Sequence, residues 1–366
     1  MILILAQAYS PSSGGIQTLM EGLADALAAR EPVTVLADGS ADARAYDRAR
    51  AAPAQLKVER FGGPRPLRRW RKKRRVAALA GRARAVFVDS WKSLEALPPL
   101  PMETPVVAFG HGNEYPEDGR KRARIRAALS RASALALVSR DTFQRARPFF
   151  EGATAPCLIH PPIHPLPPAS AQDCAWAAQQ WRGPGPRLLS LSRLIGFKGV
   201  DTTLRVFARL RQDFPDLELV VAGSGPLEEK LKTLAADLRV SDLVNFVGRV
   251  EGGRKTALMH SAHLYMQPGR VADGEREGFG LTYLEAGLAG LPSICGDAGG
   301  APDAVDHGRT GVVVDGTDLD ATIDATRALL VDANMRKLLA DGARKKSAMS
   351  VWDVKIADYL KLIDPT

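Results

Sequence analysis

Short apolar segments alternate with longer helical patterns along this 366-residue chain, and that alternation limits the fold more than any other feature. It is typical of βαβ units, in which each helix connects two parallel strands. The chain is longer than one typical domain, so we expect an α/β protein with two domains. The predicted strands are Ile2–Ala6, Val33–Ala37, Leu56–Phe61, Ala85–Asp89, Val106–Phe109, Ala134–Ser139, Arg187–Ser192 and Leu217–Ala222.

A proline-rich stretch near the middle of the chain marks the boundary between the predicted domains. It contains the sequence CLIHPPIHPLPPAS, a composition typical of linkers. We predict a first Rossmann-like domain over residues 1–165, a linker over 166–186 and a second Rossmann-like domain over 187–348. Residues 349–366 predict a final helix.

Two glutamates with seven residues between them, Glu277 and Glu285, dominate the stretch from 274 to 300. A Gly-Phe-Gly turn follows Glu277, and the helical pattern begins at Leu281. The unpaired N–H groups and the dipole of a helix start can bind phosphate, so a diphosphate could lie at Leu281 and Thr282. Glu285 could then accept hydrogen bonds from a ribose, with Glu277 facing the group that the diphosphate carries. Acids near a helix start are also common for the dipole alone, which leaves a structural alternative.

Further polar and glycine positions lie where strands end, which is where parallel sheets bind ligands. Each position also has an alternative interpretation without ligand binding: a turn for the glycines, a structural role for the histidine and serine, and solvated charge for the cations. These positions are Gly14 and Gly15 after the first strand, His111 and Ser139 in the first domain, and Arg193, Lys198, Gly223 and Gly225 in the second.

With the flanking Gly-Phe-Gly and Ala-Gly-Leu-Pro, the paired glutamates resemble the motif of glycosyltransferase family 4, whose members are retaining enzymes. The resemblance covers nearly the whole chain and is densest from Arg193 to Asp303. It implies a GT-B fold, in which two Rossmann-like domains face each other across a cleft and a C-terminal helix crosses back to the first domain. The family commonly has Glu where this chain has Asp303, which leaves the contribution of that position open.

The resemblance also implies roles for individual residues. The catalytic set is His111 against the donor sugar, Glu277 positioning that sugar, and Arg193 with Lys198 holding the departing β-phosphate. The donor-binding set is Gly14, Gly15, Gly223, Gly225, Val247, Gly248, Phe279, Gly280, Leu281, Thr282 and Glu285.

We expect neither a cofactor nor a metal. The glycine turn after Leu217–Ala222 lacks the third glycine of a dinucleotide fingerprint, which argues against NAD. The three cysteines are widely spaced and suggest no zinc site. The Asp-x-Asp at Asp318 and Asp320 lies at a predicted helix start, where we interpret it as a cap.

The net charge of +9 is local, because residues 65–84 contain ten Lys or Arg and no acid. Two partners fit such a segment, anionic lipid head groups and nucleic acid, and the aromatic interleaving that favours nucleic acid is missing. A second basic segment spans residues 120–131. We therefore expect an anionic membrane surface and no nucleic acid, with an acceptor or membrane surface at Arg68, Arg69, Trp70, Arg71, Lys72, Lys73, Arg74 and Arg75.

The sequence and the resemblance together predict a hexosyltransferase that uses a UDP- or GDP-linked sugar and acts on a membrane lipid or lipid-linked glycan. No apolar run approaches the length needed to span a bilayer, and the first apolar segment is too short for a signal peptide. We expect a cytoplasmic protein, peripheral on the inner face of the cytoplasmic membrane. The alternatives are a transferase with a soluble or polysaccharide acceptor, a GT-B epimerase or phosphorylase, and a nucleic-acid binder without enzymatic activity.

Overall fold

The computed structural model describes residues 1–12, 14–116, 121–150 and 155–364. Its contacts divide the chain into two compact units. Unit 1 comprises Met1–His164 and Val351–Thr366, and unit 2 comprises Pro165–Ser350. Each unit has its own parallel sheet and its own apolar core.

The sheet of unit 1 has seven strands in the order β3-β2-β1-β4-β5-β6-β7. All of the pairings are parallel, and the interior strand β1 is fully buried. The strand order reverses between β1 and β4, so the loops that follow these two strands diverge at the carboxyl edge of the sheet. The strands are β1 Ile2–Ala6, β2 Val33–Asp38, β3 Leu56–Phe61, β4 Ala85–Val88, β5 Val106–Gly110, β6 Ala134–Leu137 and β7 Ala155–Leu158.

Helices cover both faces of this sheet, as the predicted βαβ units require. Helix α3 contains most of the basic segment and begins with a proline in its first turn, where the missing N–H costs nothing. The helices of unit 1 are α1 Gly15–Ala28, α2 Ala43–Ala49, α3 Arg65–Leu79, α4 Trp91–Leu94, α5 Arg122–Leu129, α6 Arg140–Phe150 and, from the end of the chain, α15 Trp352–Leu360.

The sheet of unit 2 has six parallel strands in the order β10-β9-β8-β11-β12-β13. This is the strand order of a dinucleotide-binding Rossmann sheet, and it reverses between β8 and β11. The strands are β8 Arg187–Leu191, β9 Glu218–Ala222, β10 Val244–Gly248, β11 Leu264–Gln267, β12 Ser293–Gly296 and β13 Gly311–Val314. The helices are α7 Ala171–Gln179, α8 Val200–Leu210, α9 Glu228–Asp237, α10 Gly252–Ser261, α11 Leu281–Leu288, α12 Ala301–Ala304, α13 Leu319–Val331 and α14 Ala333–Ala348.

The stretch predicted as a linker, residues 166–186, contains helix α7. Ser170 caps this helix, because its hydroxyl accepts the N–H of Asp173 at 3.1 Å while the Asp173 carboxylate accepts the N–H of Ser170 at 3.0 Å. The helix packs against α10 within unit 2. The proline-rich run 161–168 therefore ends just before a capped helix, and all of residues 166–186 belongs to the second unit.

The final helix, α15, packs against α1 of unit 1, so the chain returns to its first unit after completing the second. Trp352, Ile356 and Tyr359 are buried on its inner face. The contact is close at Gly22, where an added Cβ would lie 2.0 Å from the indole nitrogen of Trp352. Among the described residues, no helix is long and apolar enough to cross a membrane.

We expect Trp352→Ala to destabilise unit 1 by about 3–5 kcal/mol, because it removes a large buried side chain and leaves a cavity against α1. The midpoint of urea unfolding measures this loss. Val354→Ala on the same helix is the control, since Val354 is 42% exposed and its truncation should cost less than about 0.5 kcal/mol. Equal effects of the two substitutions would contradict the packing role of α15.

Candidate active site

Two loops meet at the carboxyl edge of the second sheet, where β8 and β11 diverge. The loop after β8 runs through residues 192–199, and the loop after β11 runs through residues 268–280. The N–H of Arg270 donates to the carbonyl of Phe197 at 3.0 Å and joins the loops. The Arg270 guanidinium also donates to both carboxylate oxygens of Asp201, at 2.9 and 2.7 Å. The β11 loop is therefore fixed to the start of α8.

Glu277 and Lys198, both predicted from the sequence, form an ion pair where these loops meet. Each side chain is only 13% exposed. The ammonium of Lys198 contacts Oε2 of Glu277, and Nε2 of Gln267 donates to the same oxygen at 3.0 Å. The backbone carbonyl of Glu277 accepts the N–H of Gly300 at 2.8 Å. Both ends of Glu277 are therefore fixed by neighbouring elements.

Gln267, the last residue of β11, was not predicted from the sequence. It is fully buried, and Tyr265 and Tyr283 surround its side chain. The Tyr265 hydroxyl lies 2.7 Å from Gln267 Oε1, and the Tyr283 hydroxyl donates to the Gln267 carbonyl at 2.7 Å. Burial raises the pKa of both tyrosines well above the usual value, so both remain neutral hydroxyls. A polar residue ending the apolar segment LYMQ was the available signal.

Helix α11 begins directly beside this cluster. Gly280 is its N-cap and has a φ of 93°, a left-handed conformation that favours glycine. Leu281 and Thr282 are the first helical residues, so their N–H groups have no carbonyl one turn earlier to bond. Phe279 is buried beneath this turn. The predicted helix start is therefore present, with Glu277 three residues before the N-cap.

Glu285 lies one turn into α11 and pairs with a cation that the sequence analysis missed. Its Oε1 accepts the ammonium of Lys255 from α10 at 2.7 Å. Both side chains are about one-fifth exposed, at 19% and 21%. A ligand that used Glu285 would share it with Lys255 or displace that ammonium.

The remaining predicted donor residues of unit 2 lie along the same edge of the sheet. The glycine turn after β9 connects to the β8 loop through the N–H of Leu194, which donates to the Ser224 carbonyl at 3.0 Å. It connects to β10 through the N–H of Gly223, which donates to the Gly248 carbonyl at 2.7 Å. Val247 and Gly225 are partly buried along this row, and Arg193 is exposed in the β8 loop.

In unit 1, the corresponding edge is organised by Asp89, directly after β4. Its carboxylate Oδ2 accepts the N–H groups of Gln7 and Ala8 at 2.6 and 2.9 Å, which ties down the loop after β1. Its backbone carbonyl lies 2.8 Å from Nε2 of His111, so that nitrogen carries a proton in this contact. Nδ1 is left as the other polar atom of the His111 ring.

The glycines predicted in unit 1 lie at the start of α1. Gly14 is the N-cap and Gly15 is the first helical residue. Ser139 has a structural role: its hydroxyl accepts the N–H of Thr142 at 3.1 Å at the beginning of α6, and Ser139 is fully buried. His111, Gly14 and Gly15 belong to unit 1, whereas all other predicted catalytic and donor residues belong to unit 2.

Within residues 1–12, 14–116, 121–150 and 155–364, no group of three His, Cys, Asp or Glu side chains is arranged to hold a metal ion. The cap predicted at Asp318 is confirmed, because its carboxylate accepts the N–H of Ala321 at 2.9 Å at the start of α13. The three cysteines are free thiols.

The basic helix α3 has an inner side that is paired with acids. Lys72 was predicted as part of the acceptor or membrane surface, but it is buried, with its ammonium 2.5 Å from Asp38 and 3.1 Å from the Ala6 carbonyl. Lys72 is therefore unavailable to a membrane. Two donor atoms of Arg75 bond Glu59 at 2.7 Å each, which lowers the pKa of that carboxyl.

Arg68 and Arg69 also face the inner side of α3, toward the rest of unit 1. Their side chains lie 3.5 Å from Asp38 and 3.2 Å from Glu95. A pocket opens between this side of α3 and the ends of β1 and β2. Its lining comprises Leu5, Gln7, Asp38, Arg65, Arg68, Arg69, Lys72, Ser93 and Ala96.

The outer side of α3 is exposed and combines cations with an aromatic ring. Trp70 is 52% exposed, and the guanidinium of Arg74 lies 4.9 Å from its ring centre. Arg71 and Lys73 are exposed beside them. We name Trp70, Arg71, Lys73 and Arg74 the outer basic face.

The second basic segment approaches α3 through Glu95. Arg124 of α5 bonds this glutamate at 2.5 and 2.8 Å, on the carboxylate that Arg69 also contacts. Of this predicted segment, Arg120 lies outside the described residues. The two basic segments are therefore neighbours on the surface of unit 1.

Family models match both halves of the chain. Residues 13–165 match a model described as Glycosyltransferase Family 4, and residues 177–346 match one described as Glycosyl transferases group 1. A GDP-mannose-dependent alpha-(1-6)-phosphatidylinositol monomannoside mannosyltransferase of Mycolicibacterium smegmatis is 32% identical over 365 residues, covering 96% of this chain and 94% of that protein. The chain belongs to glycosyltransferase family 4.

A second relative of this family 4 transferase comes from Corynebacterium glutamicum. It is named GDP-mannose-dependent monoacylated alpha-(1-6)-phosphatidylinositol monomannoside mannosyltransferase and is 30% identical over 260 residues, covering 68% of this chain and 67% of that protein. The comparisons confirm the sequence-based expectation of a hexosyltransferase.

Solved structures confirm the expected GT-B fold class of the transferase. The sucrose-phosphate synthase of Thermosynechococcus elongatus has a TM-score of 0.80 at 19% identity, with coverage of 100% and 98% of the two chains. Anabaena HepE, crystallised with UDP and glucose, has a TM-score of 0.78 at 18% identity, with both chains covered completely. At these identities the likeness concerns the fold alone.

Substitution of Gly280 should destabilise the start of α11 by more than the cost of a left-handed backbone conformation, because the new side chain would also clash with a neighbour. An Ala Cβ there would lie 2.5 Å from the Tyr283 ring, whereas Gly274, with a φ of 76°, has nothing within 4 Å. Both substitutions to Ala carry a left-handed cost of about 1–2 kcal/mol. We expect Gly280→Ala to lower the free energy of unfolding by at least about 1 kcal/mol more than Gly274→Ala in urea titrations. Indistinguishable losses would show that the turn relaxes freely.

Proposed function

We propose that this transferase moves mannose from GDP-mannose to a mannosylated phosphatidylinositol lipid, with retention of the anomeric configuration. The observation that carries the donor part is the Lys198–Glu277 pair beside the start of α11, where a cation, a carboxylate and free helix N–H groups converge. The names of the relatives support the sugar, the base and the acceptor. Retention rests on the family resemblance.

The leaving diphosphate needs neutralisation as the bond to the sugar breaks. Arg193 and Lys198 supply cations, and the N–H groups of Leu281 and Thr282 supply donors that are already oriented. Lys198 must then exchange its contact with Glu277 for one with the β-phosphate. We propose that these groups replace the divalent ion that other transferases use, so that the reaction proceeds in EDTA.

Glu277 positions the sugar, and the acceptor hydroxyl attacks from the face that the diphosphate leaves. Glu285 binds the ribose diol, while Val247 and Gly248 contact the base and Gly223 and Gly225 line the nucleotide. Phe279 and Gly280 shape the turn between Glu277 and the phosphate-binding helix start. On the family resemblance, His111 contacts the donor sugar, and Gly14 with Gly15 faces the donor phosphates or the acceptor. We assign the nucleotide to the second domain and the acceptor to the first domain, whose His111 also contacts the donor sugar.

The two sides of α3 suggest separate roles for its cations. Arg68 and Arg69 line the pocket of unit 1 and keep part of their side chains exposed, and we assign these two cations to the anionic acceptor head group. The outer basic face supplies exposed cations together with Trp70, a combination suited to the interface of an anionic membrane. Peripheral attachment at the inner face of the cytoplasmic membrane would bring the enzyme to its lipid acceptor.

Nucleotide binding should stabilise the protein selectively. With EDTA present, we expect GDP to raise the melting temperature more than UDP or ADP, because binding at 100-fold above Kd contributes about 2.7 kcal/mol. Glu285→Ala should weaken GDP binding about tenfold or more through the lost ribose hydrogen bonds. Glu229→Ala is the matched control, since the Glu229 side chain is 86% exposed on α9.

Two outcomes would contradict this assignment. Unchanged GDP affinity in Glu285→Ala would remove the ribose contact, and the absence of any nucleotide shift would remove the donor site.

Membrane attachment should depend on the outer basic face. Flotation with vesicles of phosphatidylcholine and phosphatidylglycerol is the measurement, and each cation near the surface contributes about 1 kcal/mol. Replacing Arg71, Lys73 and Arg74 by Gln should therefore reduce partitioning roughly 100-fold. The matched control replaces Lys230, Lys337 and Lys345 by Gln, three exposed cations of unit 2. Equal flotation of both variants, or equal recovery with uncharged vesicles, would refute membrane attachment by α3.

A further inference from the structure

Oxygen Oε2 of Glu277 is held by two donors from different elements. Lys198 comes from the β8 loop and Gln267 from the end of β11. Glu277 and Lys198 retain some exposure, but Gln267 is only 1% exposed. In the proposed function, the diphosphate of the nucleotide-sugar attracts the ammonium of Lys198 away from Glu277. Binding of the nucleotide-sugar therefore breaks the contact from Lys198 but need not break the contact from Gln267.

The side chain of Gln267 cannot move toward the bound nucleotide-sugar, because both of its amide atoms have polar neighbours within hydrogen-bond distance. Nε2 lies 3.0 Å from Glu277 and 3.2 Å from the Tyr283 hydroxyl, and Oε1 lies 2.7 Å from the Tyr265 hydroxyl. A carboxylate only accepts hydrogen bonds, so the amide nitrogen must be the atom that faces Glu277. Tyr265 and Tyr283 thereby fix the orientation of the amide.

We propose that Gln267 is the positioning residue for Glu277 in the donor-bound enzyme. When the ammonium of Lys198 moves to the β-phosphate, Gln267 remains as the hydrogen-bond donor that holds Oε2 of Glu277. Oε1 of Glu277 is then left to accept from a sugar hydroxyl. This inference rests on the proposed role of Glu277 in orienting the donor sugar. It predicts that substitution of Gln267 changes the binding of the sugar and the rate of transfer, but not the affinity for the nucleotide.

The test compares Gln267→Leu and Gln267→Glu with the wild-type enzyme. Leu removes the donor, and Glu keeps the length of the side chain while placing an acceptor opposite the Glu277 carboxylate. Turnover is followed as GDP release from GDP-mannose, with vesicles of phosphatidylinositol monomannoside as acceptor. Affinities for GDP and for GDP-mannose are measured by calorimetry, which requires no acceptor.

We expect kcat to fall about 10–100-fold in both variants, as is typical when a group that orients an active-site residue is lost. GDP affinity should stay within about threefold, and the affinity difference between GDP-mannose and GDP should shrink. Gln180→Leu is the matched control: Gln180 donates to the Trp176 carbonyl at 2.8 Å in unit 2, away from Glu277. It should leave kcat unchanged.

Wild-type kcat in Gln267→Leu, or a parallel loss of GDP affinity and kcat, would overturn the inference. The second result would indicate general damage to the site. Glu277→Ala separates the inference from the proposed function. If Glu277→Ala abolishes turnover while Gln267→Leu keeps it, only the positioning role fails. If Glu277→Ala keeps full turnover, the proposed role of Glu277 fails and the inference fails with it.

Discussion

The reversal of strand order between β8 and β11 is the constraint on which the candidate site depends. Neighbouring parallel strands whose connections leave in opposite directions open a crevice at their carboxyl ends. The loops that carry Lys198 and Glu277 enter that crevice from opposite sides, and the hydrogen bond from Arg270 to Phe197 joins them. The ion pair is thus a consequence of topology, since the two residues lie 79 positions apart in the chain.

Unit 1 repeats this arrangement with different chemistry. Its strand order reverses between β1 and β4, and Asp89 after β4 binds the backbone of the loop after β1. Asp89 in this crevice is held by neutral groups, since Oδ2 accepts backbone N–H groups and Oδ1 accepts the Ser93 hydroxyl at 2.6 Å. Glu277 in the second crevice is held by a lysine ammonium and a glutamine amide. An anionic ligand can compete for the ammonium, whereas the neutral groups around Asp89 fix a loop.

Much of the fold and part of the site could be predicted from the sequence, because they depend on local patterns. Apolar periodicity located eight of the thirteen strands among the described residues, β1–β6, β8 and β9, but not β7 or β10–β13. The glycine turn before Leu281 located the start of α11. Partner choice could not be predicted, since it depends on residues far apart in the chain. Glu285 pairs with Lys255 from another helix, and the polar end of the segment LYMQ does not reveal which carboxylate Gln267 contacts. The burial of Lys72 was hidden because cations surround α3 on all sides.

The pairing of α3 with acids changes how the charge of this protein should respond to salt. Half of the ten cations in residues 65–84 have an acidic partner among the described residues: Arg68, Arg69, Lys72, Arg75 and Arg84. A cation with an acidic partner contributes little net charge to its surroundings, while the other exposed cations act over about 10 Å at 0.1 M salt. The ionic-strength dependence of any surface association should therefore reflect about half of the charge that the sequence displays.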